Sequence, residues 1–405
     1  MATIERFPGR TRAQTTRRIP RASQCGTAGI VTVFGTRPEV IKLAPVIRAI
    51  EDGGQFRTVN VCSSQHTDLL VPLISRFGIR IDHDLKVMVP NQTPSGVCAR
   101  VIAQLDPILT REQPDVLMVQ GDTTTALAAS LAAFYRGTPV AHVEAGLRSG
   151  NLFSPFPEEM NRRVITQLAT WHFAATKRNR DTLLAEGIAP ERIFVTGNPV
   201  VDALHSVLDQ TPVSSVLHAM LQQTAGLKRI VLTTHRRESF GEVMCRNLSV
   251  LADFVRSRPD IALLFPVHPN PAVVEAARLS FRGCDRAHLL QPLGYEEFIY
   301  LLSQSWLIVS DSGGVQEEVA TLGKPLLVLR ENTERPEAVE CSVARLSGGD
   351  PSRLASLLED AYRDESWMEQ VKRAVNPFGR GDAGPRIASI LAELHRPQFL
   401  TSIAQ

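Results

Sequence analysis

What most constrains this chain is a repeated alternation. Short apolar, β-rich runs are each followed by a polar or glycine-bearing loop and then by a segment of helical pattern. Ile30–Phe34, Thr58–Cys62, Asp115–Gln120, Pro139–Val143, Trp171–Ala174 and Ile193–Thr196 are such runs. After a polar stretch, 209–227, the pattern restarts with Arg229–Thr233, Ile261–Val267, His288–Leu290, Trp306–Val309 and Pro325–Leu329. Helical patterns, among them Val40–Ile50, Gln104–Thr110, 126–135 and 200–208, fill the intervals, and 78–98 reads as irregular. Strands joined through helices lie parallel with right-handed crossovers. The expected class is therefore α/β with two doubly wound, Rossmann-like domains, and 405 residues are too many for one ordinary core. The expected division is a disordered tail over 1–28, a first domain over 29–200 and a second over 201–377. No period of 20–50 residues recurs, which excludes a solenoid.

Composition narrows the functional classes. A hydrophobic share of 43% and a charged share of 21% are those of a globular chain. No apolar run approaches the roughly 18 residues of a membrane span, so no membrane partner is expected. The six cysteines are scattered without a zinc or redox pair, which fits reduced thiols in the cytoplasm. The net charge of +2 conceals a tail of +5, six arginines against Glu5, and hence a body of −3. The basic tail thus gives no case for nucleic-acid binding by the body. It lacks the apolar segment of a secretory signal.

Ligands of doubly wound sheets bind at the carboxyl ends of the strands. The richest such end is Asp311-Ser312-Gly313-Gly314-Val315-Gln316-Glu317-Glu318, which opens a helix after a buried strand. Two glycines there let backbone N–H groups approach a ligand, and a helix start favours negative charge, so a phosphate fits. Glu318, one turn on, can accept from a ribose. The competing reading is an ordinary turn capped by Asp311 or Ser312. In the first half, Gly35-Thr36-Arg37-Pro38-Glu39 precedes a helix with Arg37 and Lys42 near its start, two cations beside free N–H groups. Asp122 and Glu144 stand at two further strand ends, where each is also a possible cap or ion-pair partner. Pro155 to Glu159 opens another helix, with Asn161, Arg162 and Arg163 in its first turns, while His235 and His268 end strands of the second half. Neither half carries G-x-G-x-x-G after its first strand, nor a Walker-A spacing, which disfavours nicotinamide, flavin and P-loop chemistry. The histidines and carboxylates lack metal-ligand spacing, so no catalytic metal and no cofactor are expected. A nucleoside diphosphate at the glycines, faced by carboxylates across an interdomain cleft, remains.

The stretches VFGTRPEVIKLAPV, GDTTTALAASLAAFYRGTPVAHVEAGLRSG, PFPEEMNRR, TGNPVVDAL, THRRESFGE, FPVHPNP, SDSGGVQEEVATLGKP and RENTERPEAVE together closely resemble the non-hydrolysing UDP-N-acetylglucosamine 2-epimerases, over residues 30 to about 395. The resemblance implies a glycosyltransferase-B-type fold, a homodimer, and a C-terminal helix, about 378–400, crossing back to the first domain. It implies interconversion of UDP-N-acetylglucosamine and UDP-N-acetylmannosamine through expulsion of UDP, a bound 2-acetamidoglucal and re-addition, with no redox cofactor. Nucleotide-sugar contacts then fall on Arg37, Lys42, Asp122, Glu144, His235, Phe298, Ser312, Gly313, Gly314, Glu318 and Arg335. The catalytic carboxylates fall on Asp122, Glu144 and Glu158, with His235 beside the diphosphate.

Three departures from the family pattern bear on control and specificity. Gln65-His66, a possible allosteric contact, is followed by Thr67-Asp68 instead of a basic residue, so weakened activation by UDP-N-acetylglucosamine is expected. Leu293 stands where some members have a polar side chain, and Ser342-Val343-Ala344-Arg345-Leu346-Ser347-Gly348 replaces the usual ending. A 2-epimerase of a modified sugar such as a UDP-2,3-diacetamido hexose shares nearly every motif. A glycosyltransferase of the same fold is the alternative of another class.

Overall fold

Strand β1 (Ala28–Phe34) is buried over nearly its whole length, and it anchors the first sheet between β2 (Phe56–Cys62) and β4 (Val116–Gln120). The other strands of that sheet are β3 (His83–Asp84), β5 (Val140–Ala145), β6 (Trp171–Ala174) and β7 (Ile193–Val195). The second sheet holds β8 (Lys228–Thr233), β9 (Ile261–Pro266), β10 (Ala287–Leu290), β11 (Leu307–Ser310), β12 (Leu326–Val328) and β13 (Ala344–Leu346). The orders are β3-β2-β1-β4-β5-β6-β7 and β10-β9-β8-β11-β12-β13, and every pairing is parallel. Strands such as Val116–Gln120 and Val140–Ala145 are buried along their length because helices cover both faces. The expected α/β class with two doubly wound sheets is what is found. This computed structural model describes residues 27–65, 70–208, 213–234 and 241–395, so the expectations for the tail up to residue 26, for His66 and for His235 lie outside the described residues.

Four local expectations need correction. Residues 78–98 are not all irregular: they contain β3, and a helix begins at Pro94 and runs to Glu112, ten residues ahead of the expected start at Gln104. Thr93 caps it by accepting from the Gly96 N–H (3.1 Å), and Val97, Val101, Leu105 and Ile108 form its buried stripe. The Ser95-Gly96 start hides a helix that the Thr93-Pro94 pair announces. The stretch 209–227 holds the helix Ser215–Gln223, which buries only Leu217 and so carries no apolar period. The three-residue β13 pairs with β12 at a sheet edge and is too short for any pattern.

The chain passes between the sheets twice. It leaves the first through Gly197-Asn198 and the helix Pro199–Leu208, and returns through Phe378-Gly379 and the helix Ala383–Leu394. That last helix packs on the helices Arg37–Gly53 and Pro199–Leu208. The Asp202 carboxylate accepts from the Gly384 and Ala383 N–H groups (2.9 and 3.2 Å), capping the helix start. A side chain at Gly384 would place its Cβ 2.6 Å from the Pro45 carbonyl oxygen, so the close approach requires glycine. One buried apolar cluster runs from β1 through Val200, Val201 and Leu204 into the second sheet. Among the described residues, no helix is long and apolar enough to cross a membrane.

Candidate active site in the interdomain cleft

The carboxyl ends of β1, β4 and β5 face those of β8 and β11 across a cavity of about 970 Å³. Its walls bring together Arg37, Lys42, Gln65, Asp122, Glu144 and Glu158 from the first half with His268, Phe298, Ser312, Gly313, Gly314, Glu318 and Arg335 from the second. Leu293 also lines it.

The start of the helix Arg37–Gly53 lines the cavity and carries a negative charge of its own. Glu39, fully buried, turns its carboxylate back to accept from the Gly35 N–H (3.0 Å), the Thr36 N–H (2.8 Å) and the Thr36 hydroxyl (2.8 Å). It also accepts from Thr123 Oγ1 (2.7 Å), which binds the β1 turn to the β4 turn. An internal carboxylate thus occupies the Gly35 and Thr36 N–H groups just ahead of the helix. Burial pushes this carboxyl up to about 7 against those four donors.

Glu144 owes its place to an irregularity. The register of β5 against β6 shifts between Val143 and Ala145, leaving Glu144 as an inserted residue with φ of +66°. Such a bulge re-aims a side chain, and a left-handed non-glycine residue is held only where its surroundings enforce it. Here the carboxylate accepts from Lys42 Nζ and Asn198 Nδ2 (3.0 Å) on Oε1, and from Gln120 Nε2 on Oε2. Burial alone would raise its pKa. Lys42 and Arg335 outweigh burial and hold it below the ordinary carboxylate value.

Asp122 is not the cap of the helix after β4; Thr123 is, accepting from the Ala126 N–H (3.0 Å). That leaves the Asp122 carboxylate to Arg162 Nε (2.8 Å), while Asn161 Nδ2 donates to its backbone carbonyl (2.8 Å). Glu158 opens the helix Glu158–Leu168 at the cavity wall. The next residue, Glu159, is wholly buried and holds the segment by accepting from the Ser149 N–H (2.8 Å) and Arg162 Nη1 (2.9 Å).

On the second wall the capping alternative for Asp311 and Ser312 fails. The buried Asp311 accepts from Thr234 Oγ1 (2.7 Å), and Ser312 makes no side-chain bond to the helix Gly313–Leu322. Among the described residues its first N–H groups have no side-chain cap from Ser312, and a Cβ on Gly314 would meet nothing within 4 Å. A glycine-bearing helix start of this kind suits an anion, with backbone donors at the positive end of a helix. Glu318 lies one turn in beside Tyr295, and burial pushes its carboxyl up to about 7 against the pull of Arg37.

The two walls meet in an ionic relay. Glu317 takes Lys42 Nζ (2.8 Å) from the first half and Arg335 Nε (2.6 Å) from the second, and Arg335 also faces Glu334, itself paired with Arg330. Signs alternate along Glu144, Lys42, Glu317, Arg335, Glu334 and Arg330. Arg335 is raised above its ordinary value, burial being overcome by Glu317, Glu334 and Glu144. Sequence reasoning missed Glu317, Gln120, Asn198 and Tyr295, and noted Arg162 without a role. For Arg162 a signal existed, since it lies four residues after Glu158 on one helix face.

A sequence profile described as UDP-N-acetylglucosamine 2-epimerase matches residues 48–392. The chain belongs to the UDP-N-acetylglucosamine 2-epimerase family. It is 43% identical over 367 residues to the UDP-N-acetylglucosamine 2-epimerase of Salmonella typhimurium, covering 89% of this chain and 98% of that one. Among solved structures, the Neisseria meningitidis UDP-GlcNAc 2-epimerase bound to UDP-GlcNAc superposes with a TM-score of 0.85 at 39% identity, over 90% of this chain and 100% of that one. The Methanocaldococcus jannaschii UDP-GlcNAc 2-epimerase in complex with UDP-GlcNAc and UDP gives 0.77 at 32% identity, over 90% and 99%. The family is one of isomerases, and the two facing doubly wound sheets are its glycosyltransferase-B-type fold.

Proposed function

We propose that the chain interconverts UDP-N-acetylglucosamine and UDP-N-acetylmannosamine by elimination and re-addition of UDP through enzyme-bound 2-acetamidoglucal. The observation that carries this reading is the opposition of an ionised, bulge-aimed Glu144 to an uncapped Gly313-Gly314 helix start across one cavity. The sugar C2–H is a weak acid, so a base alone does not suffice. As a carboxylate takes the proton, the C2–H electron pair forms the C1=C2 bond, and the C1–O pair leaves with the β-phosphate of UDP. The helix-start N–H groups, Arg335 and Arg37 stabilise the charge that develops there. His235, outside the described residues, is the additional group that the family resemblance sets beside the diphosphate.

In the return, UDP re-adds to the face of C1 that it left, the C1=C2 electron pair takes up a proton, and that proton reaches C2 from the opposite face. Two faces require more than one acid–base group, which Asp122, Glu144 and Glu158 supply from three separate segments. Lys42, bridging Glu144 and Glu317, keeps Glu144 ionised between turnovers. Incubation with UDP-N-acetylglucosamine in heavy water tests the proposal: the epimerised product should carry one solvent deuterium at C2. Inversion without label would overturn the elimination, and absence of inversion the activity.

A further inference from the structure

The stretch TGNPVVDAL contributes no side chain to the reaction just described except through the Val200 wall of the cavity. It nevertheless supplies Asn198, 1% exposed, whose amide reaches the Glu144 carboxylate. We infer that Asn198 is a positioning residue, which fixes the orientation of Glu144 and ties it to the point where the chain passes between the two halves. The inference rests on the reading of Glu144 as a proton-exchanging group.

Three contacts converge on Asn198. Its Oδ1 accepts from the Val200 N–H (3.1 Å), which settles that Nδ2 is the end facing Glu144 Oε1 (3.0 Å). Its backbone N–H donates to the Phe378 carbonyl (2.7 Å) on the returning passage. The two passages touch there through Gly197 and Gly379, with φ of +89° and +119°, and a Cβ on Gly379 would lie 3.1 Å from Gly197 Cα. The only backbone junction of this kind among the described residues is thus one side chain away from Glu144. Asn198 does not line the cavity, so it acts through Glu144 and not on a ligand. With Oε1 taken by Lys42 and Asn198, both lone pairs of that oxygen are used, and proton exchange falls to the lone pair that Gln120 leaves on Oε2.

The test compares Asn198→Ala, Glu144→Gln and the double variant in heavy water across pH, with UDP affinity and thermal stability measured on each. Removing a hydrogen bond to a charged group should lower the kcat of Asn198→Ala roughly 10- to 100-fold. Substrate KM and UDP affinity should stay within about threefold, because the diphosphate is held elsewhere. The acid limb of kcat should move to higher pH, since a donor to the ionised carboxylate is gone. The double variant should be no slower than Glu144→Gln, because the two act as a unit. Unchanged kcat, an unmoved acid limb, or losses that multiply in the double variant would each overturn the inference. If Asn198→Ala does not fold, Asn198→Asp keeps the shape and the Val200 contact while setting a carboxyl against Glu144. An unmoved acid limb in that variant would be equally fatal. Normal C2 exchange by Glu144→Gln alone would instead sink the underlying role of Glu144.

Discussion

The two walls of the cleft are built on opposite electrostatic plans. The first wall is made of side chains: three carboxylates on separate segments, with Lys42 against Glu144 and Arg162 against Asp122. The second is made largely of backbone, a helix start at the cavity wall where Gly314 brings no side chain and the Ser312 side chain makes no cap bond. Groups that move protons must titrate and be aimed individually, whereas a diphosphate can be gripped by fixed dipoles that never change charge. The contrast assigns chemistry to one wall and grip to the other, and the ionic relay through Glu317 is where they are joined.

The largest effect that sharpens this contrast lies on the first wall. Asp122→Asn and Glu158→Gln should each lose roughly 10²- to 10⁴-fold in kcat. UDP affinity, read by calorimetry, should be retained in both. Near-normal C2 exchange would reduce these carboxylates to structural ion-pair partners. Next in size is the joint itself. Arg335→Ala leaves the buried Glu317 and Glu334 short of a counter-charge and should cost about 3–5 kcal/mol of stability, seen in chemical denaturation. A loss below 1 kcal/mol would show that the relay does not hold the walls together.

Much of this was readable before the structure. The apolar runs located eleven of the strands, and the strand ends named most of the cavity, because parallel sheets leave both signals in local sequence. What escaped depends on register and crossing. His142 on β5 and His172 on β6 sit opposite each other, a pairing set by a register that no local pattern encodes. Glu144 reads as a strand-end residue, and nothing local reveals the bulge that turns it. Asn198, Gln120 and Glu317 are ordinary polar residues until the second passage and the facing sheet are in place. Glu39, three residues after Thr36, turns its carboxylate to the Gly35 and Thr36 N–H groups, a capping-box spacing that was legible and unread.

That histidine pair separates the walls by pH. Burial pushes His142 down to about 4 and His172 to about 3, from an ordinary 6.5. The unfolded chain therefore takes up protons first, and stability should fall as pH drops from 6.5 toward 4, by on the order of 3 kcal/mol per histidine at about 1.4 kcal/mol per unit. Glu39 and Glu318, raised to about 7, act with the opposite sign, their contribution growing from pH 7 down to 4.5. Both ring nitrogens of His172 lack a hydrogen-bond partner among the described residues, so His172→Leu should hold its melting temperature between pH 6 and 4.5 better than the unmodified chain. An equally steep loss would contradict the buried-neutral assignment. On the second wall, Glu318→Gln should flatten the UDP affinity, which in the unmodified chain should rise through pH 7 as the carboxyl ionises and accepts from the ribose. The smallest effect belongs to the tail: a chain starting near Ala28 should melt and turn over like the full one.

The division of labour is tested most directly by measuring UDP affinity and C2 deuterium exchange side by side on Glu144→Gln and Gly314→Ala. A methyl on Gly314 meets nothing within 4 Å among the described residues and favours the helix, so that variant should be equally or more stable, by up to about 1 kcal/mol. It should bind UDP more weakly and, once saturated, lose far less C2 exchange than Glu144→Gln, which should bind UDP normally and lose exchange. Affinity and exchange falling together in both variants would contradict the account.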